Sequence, residues 1–313
     1  AEHLTTFIEK RYGTKKISQA WLKMYEMAVD FGIGLNQSDT IKTFHLCEAP
    51  GNFIAATMHY IKTHTNIKQH EWHAQSLNPN LYSNGTDRKT AFGDDYGLIS
   101  AYPDRWLWGA DNTGDITKVD NIKYYQSYIA KADFVTSDCG VPNELDTESD
   151  TLLKVHYAQL VTILNGLSPG KSFLAKLMMP IVEPIQISMI YLLYQCFDRL
   201  YIYKGVVNIF SNEFYIVGEG YQPISDQIRN KLFQVLVQFD RKIDLFDGNY
   251  PENFIKQLDY ILSKLADQYV DNFDRQLYYV DNYYIITRDH LAEIKKAIRN
   301  KNLDWVHKYI ETK

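Results

Sequence analysis

The stretch Lys42-Thr43-Phe44-His45-Leu46-Cys47-Glu48-Ala49-Pro50-Gly51-Asn52-Phe53-Ile54-Ala55-Ala56 decides the fold. Residues 42–48 read as a strand. Ala49-Pro50-Gly51 breaks it, and the spacing predicts a helix from about Phe53 to Thr63. Gly51 lets the backbone approach a ligand closely. The helix start offers N–H groups to a carboxylate or another polar ligand. The turn lacks the GxGxxG spacing, which disfavours a pyrophosphate-binding dinucleotide site. Taken alone, the segment is equally an ordinary strand-to-helix turn.

Outward from it, the pattern repeats. HEWHAQSL (70–77) reads as a second strand, 78–105 as a polar loop, WLWGA (106–110) as a third strand and ADFVTSD (132–138) as a fourth. A helix is predicted over 148–166, and Ser168-Pro169-Gly170 turns into the strand KSFLAKL (171–177). The helix over 181–197 tolerates Pro184 in its first turn. RLYIYK (199–204) and EFYIVGEGY (213–221) read as a terminal antiparallel pair. Upstream, residues 1–40 are helical, with Trp21, Leu22, Tyr25 and Val29 near one stripe and Gly32 and Gly34 ending it. Strands separated by helices predict an α/β domain with helices on both faces of a parallel sheet. Such sheets bind ligands at the carboxyl ends of their strands. Glu48, Ser76, Asp138 and Lys176 fall at or near those ends.

Beyond residue 221 the character changes. Ile228, Leu232, Val235 and Leu236 mark one amphipathic helix, and Phe254, Leu258, Ile261 and Leu265 mark another. The expected division is a helical segment over 1–40, the α/β domain over 41–221 and a helical C-terminal appendage over 222–313.

The 313-residue chain is 45% hydrophobic, enough for a substantial core, and carries a net charge of −5. That charge argues against coating nucleic acid by bulk attraction but leaves room for a local basic groove. No run of about 18 apolar residues occurs, so no membrane span is expected. The first residues, AEHLTTFIEKRYG, lack a signal-peptide apolar region. Cys47, Cys139 and Cys196 are widely spaced with no CxxC pair, which predicts no disulfide framework, no zinc ribbon and a reducing compartment. His70 and His73 are better explained by a strand start than by a metal site.

Four residues far apart in sequence stand out. Lys176 lies inside the apolar run Phe173-Leu174-Ala175-Lys176-Leu177, where a lysine is costly unless paired or snorkelling. Asp138 ends an apolar strand, as an N-cap or as an acid holding an ammonium group. Glu213 starts the last strand and alone reads as an edge-strand acid. Lys23, on the amphipathic N-terminal helix, alone reads as solvated. Together they suit removal of a proton from a sugar hydroxyl. Burial and a second cation both favour the neutral lysine that a general base needs, and two acids orient the amines. Lys176 is then the base, Lys23 the neighbouring cation, and Asp138 and Glu213 the positioning acids. Asp115, in Thr113-Gly114-Asp115-Ile116, either bonds an adenine amino group or caps the helix that follows.

With QAWLKMYE, HLCEAPGNFIAA, WHAQSLNP, GADNTGDI, TSDCG and FLAKLMM in this order over about residues 19–221, the chain resembles FtsJ-like (RrmJ-like) ribose 2′-O-methyltransferases. The likeness is greatest to their Adrift-type branch, which includes the cap-2 mRNA enzymes, and it extends to enzymes of large cytoplasmic DNA viruses. The resemblance implies a Rossmann-like fold and S-adenosyl-L-methionine as methyl donor. It implies a donor site from Glu48, Pro50, Gly51, Asn52, Phe53, Ser76, Leu77, Asp115 and Asp138. It implies catalysis by Lys23, Asp138, Lys176 and Glu213, no metal, and a capped mRNA 5′ end as substrate. No membrane partner and no DNA specificity are expected. A capping-machinery protein is compatible as a partner, and the expected location is the cytoplasm, of a host cell or within a virion if the chain is viral. Position 52 departs from the family: Asn stands where Gly or Ala is usual, and it is expected to crowd the methionine end of the donor. Trp72, Trp106 and Trp108 are better read as core than as stacking platforms for a cap. Lys15, Lys16 and Lys204 either track RNA phosphates or are simply solvated. Two alternatives stay open: a silent binding subunit on the same fold, and an enzyme for internal RNA sites.

Overall fold

The computed structural model describes residues 3–12, 16–34, 39–82, 93–140, 150–282 and 287–311. Leu4–Tyr12 (α1) and Gln19–Asp30 (α2) precede the strand Thr40–Leu46 (β1). Asn52–His64 (α3), Gln69–Gln75 (β2), the single turns Pro79–Tyr82 (α4) and Leu98–Ala101 (α5), and Trp106–Leu107 (β3) follow. Next come Val119–Ile129 (α6), Phe134–Ser137 (β4), Asp150–Gly166 (α7), Ser172–Met178 (β5), Pro184–Cys196 (α8), Phe197–Tyr203 (β6) and Glu213–Tyr221 (β7). Asp226–Val237 (α9), Glu252–Asp281 (α10) and Arg288–Val306 (α11) complete the order, with a last helical turn over His307–Glu311.

The seven strands form one sheet in the order β3-β2-β1-β4-β5-β7-β6. β1 pairs in parallel with β2 and β4, and β4 with β5, while β7 runs antiparallel to both β5 and β6. The chain winds outward from β1 through β2 to β3, then returns to start β4 on the other side of β1. That reversal opens a crevice at the carboxyl ends of β1 and β4.

Two cores sandwich the sheet, and the period-2 alternation of the strands sorts side chains between them. Phe173, Ala175 and Leu177 of β5 and Phe214 and Ile216 of β7 pack with α6, α7 and α8. Leu174, Tyr215 and Val217 point the other way, into a core with Trp21, Leu22 and Tyr25 of α2 and Phe53 and Tyr60 of α3. The same alternation places Lys176 and Glu213 on the α2 side. The C-terminal region joins both cores. Leu232, Leu236, Phe254 and Leu258 belong to the first, and Trp305, Val306 and Tyr309 to the second.

Two expectations change. The third strand is only Trp106–Leu107, because Gly109 turns at φ +80° where a Cβ would meet the Asn121 side chain at 2.4 Å. The cysteine reading is corrected in its disulfide part: Cys47 and Cys139 form a disulfide across 92 positions. Parallel pairing of β1 with β4 sets their carboxyl ends side by side, a proximity that spacing along the chain does not reveal. Cys196 is free and buried.

Candidate active site

Lys23, Asp138, Lys176 and Glu213 meet in one cluster at the carboxyl edge of the sheet. Lys23 Nζ lies 3.0 Å from Glu213 Oε2 and 3.9 Å from Asp138 Oδ1. Lys176 Nζ lies 3.3 Å from Asp138 Oδ1 and 3.9 Å from Glu213 Oε1, and it donates to the Asp138 carbonyl at 3.1 Å. Each carboxylate therefore stands between the two ammonium groups. Both lysine side chains are about 10% exposed (9% and 10%), so water screens the four charges weakly.

Local structure explains each position. Ser18 caps α2 by accepting from the Trp21 N–H, and the stripe Trp21, Leu22, Tyr25 docks that helix on the sheet with Lys23 facing the strand ends. Lys176 and Glu213 lie near one another because β5 and β7 are antiparallel, with Met178 opposite Glu213 and Lys176 opposite Tyr215. Asp138 ends β4 on the same side as Phe134.

Burial opposes charge on Lys23, but the Asp138 and Glu213 carboxylates outweigh it and hold its pKa above the ordinary lysine value. Burial likewise raises Asp138, yet Lys176, Lys23 and the Tyr215 hydroxyl together bring its carboxyl below the usual range. Tyr215 donates to Asp138 Oδ1 at 2.7 Å. Sequence reading missed this tyrosine, although it lies two residues after Glu213 on one strand and so shares its face.

The predicted donor loop holds one correction. The N–H groups that open α3 are not all available to a ligand: Phe53 and Ile54 donate to Glu48 Oε1 at 2.8 and 3.0 Å. Glu48 is buried; burial above all, and then Asp138, raises its pKa well above the carboxylate range. It braces the loop from below. Pro50 follows a cis peptide bond. Gly51 adopts φ +109°, and a Cβ there would meet Leu98 Cδ1 at 2.7 Å. Ser76 Oγ accepts from the Ala49 N–H at 3.3 Å. The Asn78 N–H donates to the Thr113 carbonyl at 2.9 Å and Gln75 Nε2 to the Gly114 carbonyl, so Ser76, half-exposed Leu77 and Asp115 are neighbours across these bonds. Asp115 Oδ1 also accepts from the N–H and hydroxyl of Thr117; it closes a turn ahead of α6 and is not the expected helix cap, because the N-cap position of α6 is Lys118. Asn52 does not stand alone in the cleft: its Oδ1 accepts from Ser18 Oγ at 2.5 Å and lies 3.0 Å from the Tyr96 hydroxyl.

These residues fit S-adenosylmethionine. A Cβ on Gly51 would press on Leu98 and one on Gly140 would come within 3.2 Å of Lys176 Nζ, so glycine at both positions keeps the loop and the lysine where they stand. Asp138 offers a carboxylate for an ammonium group, Leu77 an apolar flank, and Ser76 and Asp115 polar oxygens.

The other aromatic and basic candidates have partners of their own. Trp72 and Trp106 are buried, and Trp108 stacks on Trp106 at 5.9 Å. Lys16 Nζ donates to the Asp95 carbonyl. Lys204 Nζ donates to the Ser211 and Glu213 carbonyls, and burial lowers its pKa to about 8. Lys15 lies outside the described residues. Among the described residues no helix is long and apolar enough to cross a membrane.

A Rossmann-like sheet with this cluster at its carboxyl edge is the framework of a methyltransferase. The model of the FtsJ-like methyltransferase family matches residues 17–221, and the chain belongs to that family; its methyl donor is S-adenosylmethionine. A mimivirus protein, L511, is 37% identical over 304 residues, covering 92% of this chain and 36% of its own length. The mouse cap-specific mRNA (nucleoside-2′-O-)-methyltransferase 2 is 32% identical over 229 residues, 69% of this chain and 29% of the mouse protein. The African swine fever virus protein EP424R, named as a methyltransferase, is 27% identical over 313 residues, covering 94% of this chain and 71% of its own. The chain thus spans about a third of the mimivirus and mammalian relatives, and the African swine fever virus protein is a relative at 27% identity.

Proposed function

We propose that this chain is an S-adenosylmethionine-dependent RNA ribose 2′-O-methyltransferase acting on the cap-proximal nucleotide of mRNA. The observation that carries the proposal is the buried cluster of Lys23, Asp138, Lys176 and Glu213, each carboxylate between two ammonium groups. The names of the mouse relative and its counterparts supply the substrate class.

In this reading the loop Glu48–Phe53, with Ser76, Leu77, Asp115 and Asp138, holds the donor, which supplies a methyl group activated by a sulfonium. Lys176 rests as an ammonium between the two carboxylates; once it has given up that proton, its free amine accepts the proton of the ribose hydroxyl at Nζ. Lys23, held as a cation by its two carboxylates, fixes Asp138 and Glu213 in place. Those acids orient Lys176 and keep it from swinging into solvent. The rest of the catalysis is alignment of two bound reactants. The segment 1–40 supplies Lys23, 41–221 the remaining machinery, and 222–313 packing support. An RNA 5′ end is the partner, and the location in this reading is the cytoplasm, of a host cell or within a virion.

The test is methyl transfer from labelled S-adenosylmethionine to short RNAs with and without a methylated cap. Cap-dependent labelling of a ribose is expected. Equal labelling of both RNAs would redirect the proposal to internal sites, and binding of S-adenosylhomocysteine without transfer to either RNA would refute it.

A further inference from the structure

We propose that Asn52 is a positioning residue: it joins the helix that carries Lys23 to the loop that binds the methyl donor. The inference rests on the catalytic role assigned above to Lys23. Three pieces of the chain converge on Asn52 Oδ1. Ser18 Oγ donates to it at 2.5 Å, and the same hydroxyl accepts from the Trp21 N–H at 3.0 Å as the N-cap of α2. The Tyr96 hydroxyl lies 3.0 Å away and also 2.7 Å from the Lys16 carbonyl, just before that cap. Two residues beyond Tyr96, Leu98 packs where a Cβ of Gly51 would stand. Asn52 itself is the first residue of α3. One amide oxygen therefore links the start of the Lys23 helix, the segment covering Gly51, and the helix that opens at the donor loop.

A small residue at this position, the usual one in the family, has no acceptor to offer. Its substitution here would leave the Ser18 proton without its partner and free the start of α2, five residues before Lys23. The helix could drift only slightly, because Trp21 and Tyr25 remain packed on His59 and Tyr60 of α3. A small drift at a catalytic amine lowers the rate without emptying the donor site.

The experiment compares native chain, Asn52→Ala, Asn52→Asp, Ser18→Ala and the Asn52→Ala/Ser18→Ala pair. Readouts are kcat, the KM for S-adenosylmethionine, S-adenosylhomocysteine affinity by calorimetry, and the unfolding midpoint. Asn52→Ala should lose about threefold to tenfold in kcat, a larger change than any in KM or donor affinity, because the loop backbone that holds the donor is kept. Asn52→Asp keeps an acceptor for both hydroxyls and should restore the rate. The opposite view, that Asn52 merely crowds the donor, predicts tighter binding or faster transfer in Asn52→Ala, and either result overturns the proposal. So does an Asn52→Asp variant as slow as Asn52→Ala. If the native chain transfers no methyl group, the assigned reaction fails, and the joint is then decided by unfolding alone. Non-additive losses from Asn52→Ala and Ser18→Ala support it, and additive losses overturn it.

Discussion

Lys176→Met tests the mechanism most directly, because it removes one charge and nearly preserves shape. In the native chain Lys176 Nζ stands 3.3 Å from Asp138 Oδ1. At an effective dielectric constant of about 20, that contact is worth about 5 kcal/mol of attraction before desolvation is subtracted. The net loss is far smaller, because removing Lys176 also removes the cost of burying its ammonium. Asp138 keeps the Tyr215 hydroxyl at 2.7 Å and Lys23 at 3.9 Å. A destabilisation of about 1–2 kcal/mol is therefore expected, too little to unfold the chain. S-adenosylhomocysteine should bind with near-native affinity, since the donor loop is untouched. The transfer rate should fall by about 10²–10⁴, the usual contribution of general-base catalysis and equal to about 3–5 kcal/mol of barrier. Single-turnover transfer with labelled donor measures the rate, and calorimetry measures the binding. A variant that keeps more than about a tenth of the native rate would refute Lys176 as the base.

Three further outcomes follow from the geometry. Burial raises Glu26 to about 7 against backbone N–H groups and Trp305 that favour its charge, so the stability of the neutral form is complete below the ordinary value of 4.5 and is lost as pH rises through 7. Glu26→Gln keeps an acceptor for Trp305 and cannot ionise. It should unfold like the native chain at low pH and be stabler above neutrality by up to about 3 kcal/mol, and identical thermal profiles at both ends would contradict this. Gly51→Ala forces a Cβ into φ +109° and against Leu98 Cδ1 at 2.7 Å; calorimetry should show S-adenosylhomocysteine affinity reduced about tenfold or more in a chain that remains folded. Tyr215→Phe removes a hydroxyl that helps hold the Asp138 pKa down. It should cost about 1–2 kcal/mol above the ordinary Asp value of 3.8, a gap that closes as pH falls through the depressed native pKa, read by denaturant titration at several pH values.

Much of the sheet was legible because its signals are local. The β1 to α3 turn, the strand of Lys176 and the Pro184 helix start all depend on neighbours a few residues away. Asp138 and Lys176 could be singled out because each ends or interrupts an apolar strand. Lys23 and Glu213 could not be told from surface charges by their own segments, and only family likeness marked them. The disulfide of Cys47 with Cys139 was misread because spacing carries no information about strands that pair across a crossover. The third strand was overextended because the close approach of Gly109 to Asn121 is a tertiary contact.

The sequence by itself determined the alternation of strand and helix, the face to which each strand side chain points, and the prominence of Asp138 and Lys176 at an apolar strand's end and interior. Hydrophobic periodicity and turn chemistry act over short stretches of chain, and they leave those features readable. Only the tertiary structure decided that two lysines share two carboxylates within 3.0–3.9 Å, that Tyr215 holds Asp138, that Glu48 occupies helix N–H groups predicted for a ligand, and that Asn52 joins three segments. Each is a contact between distant residues, made by the order in which strands pair and by which helix covers which face.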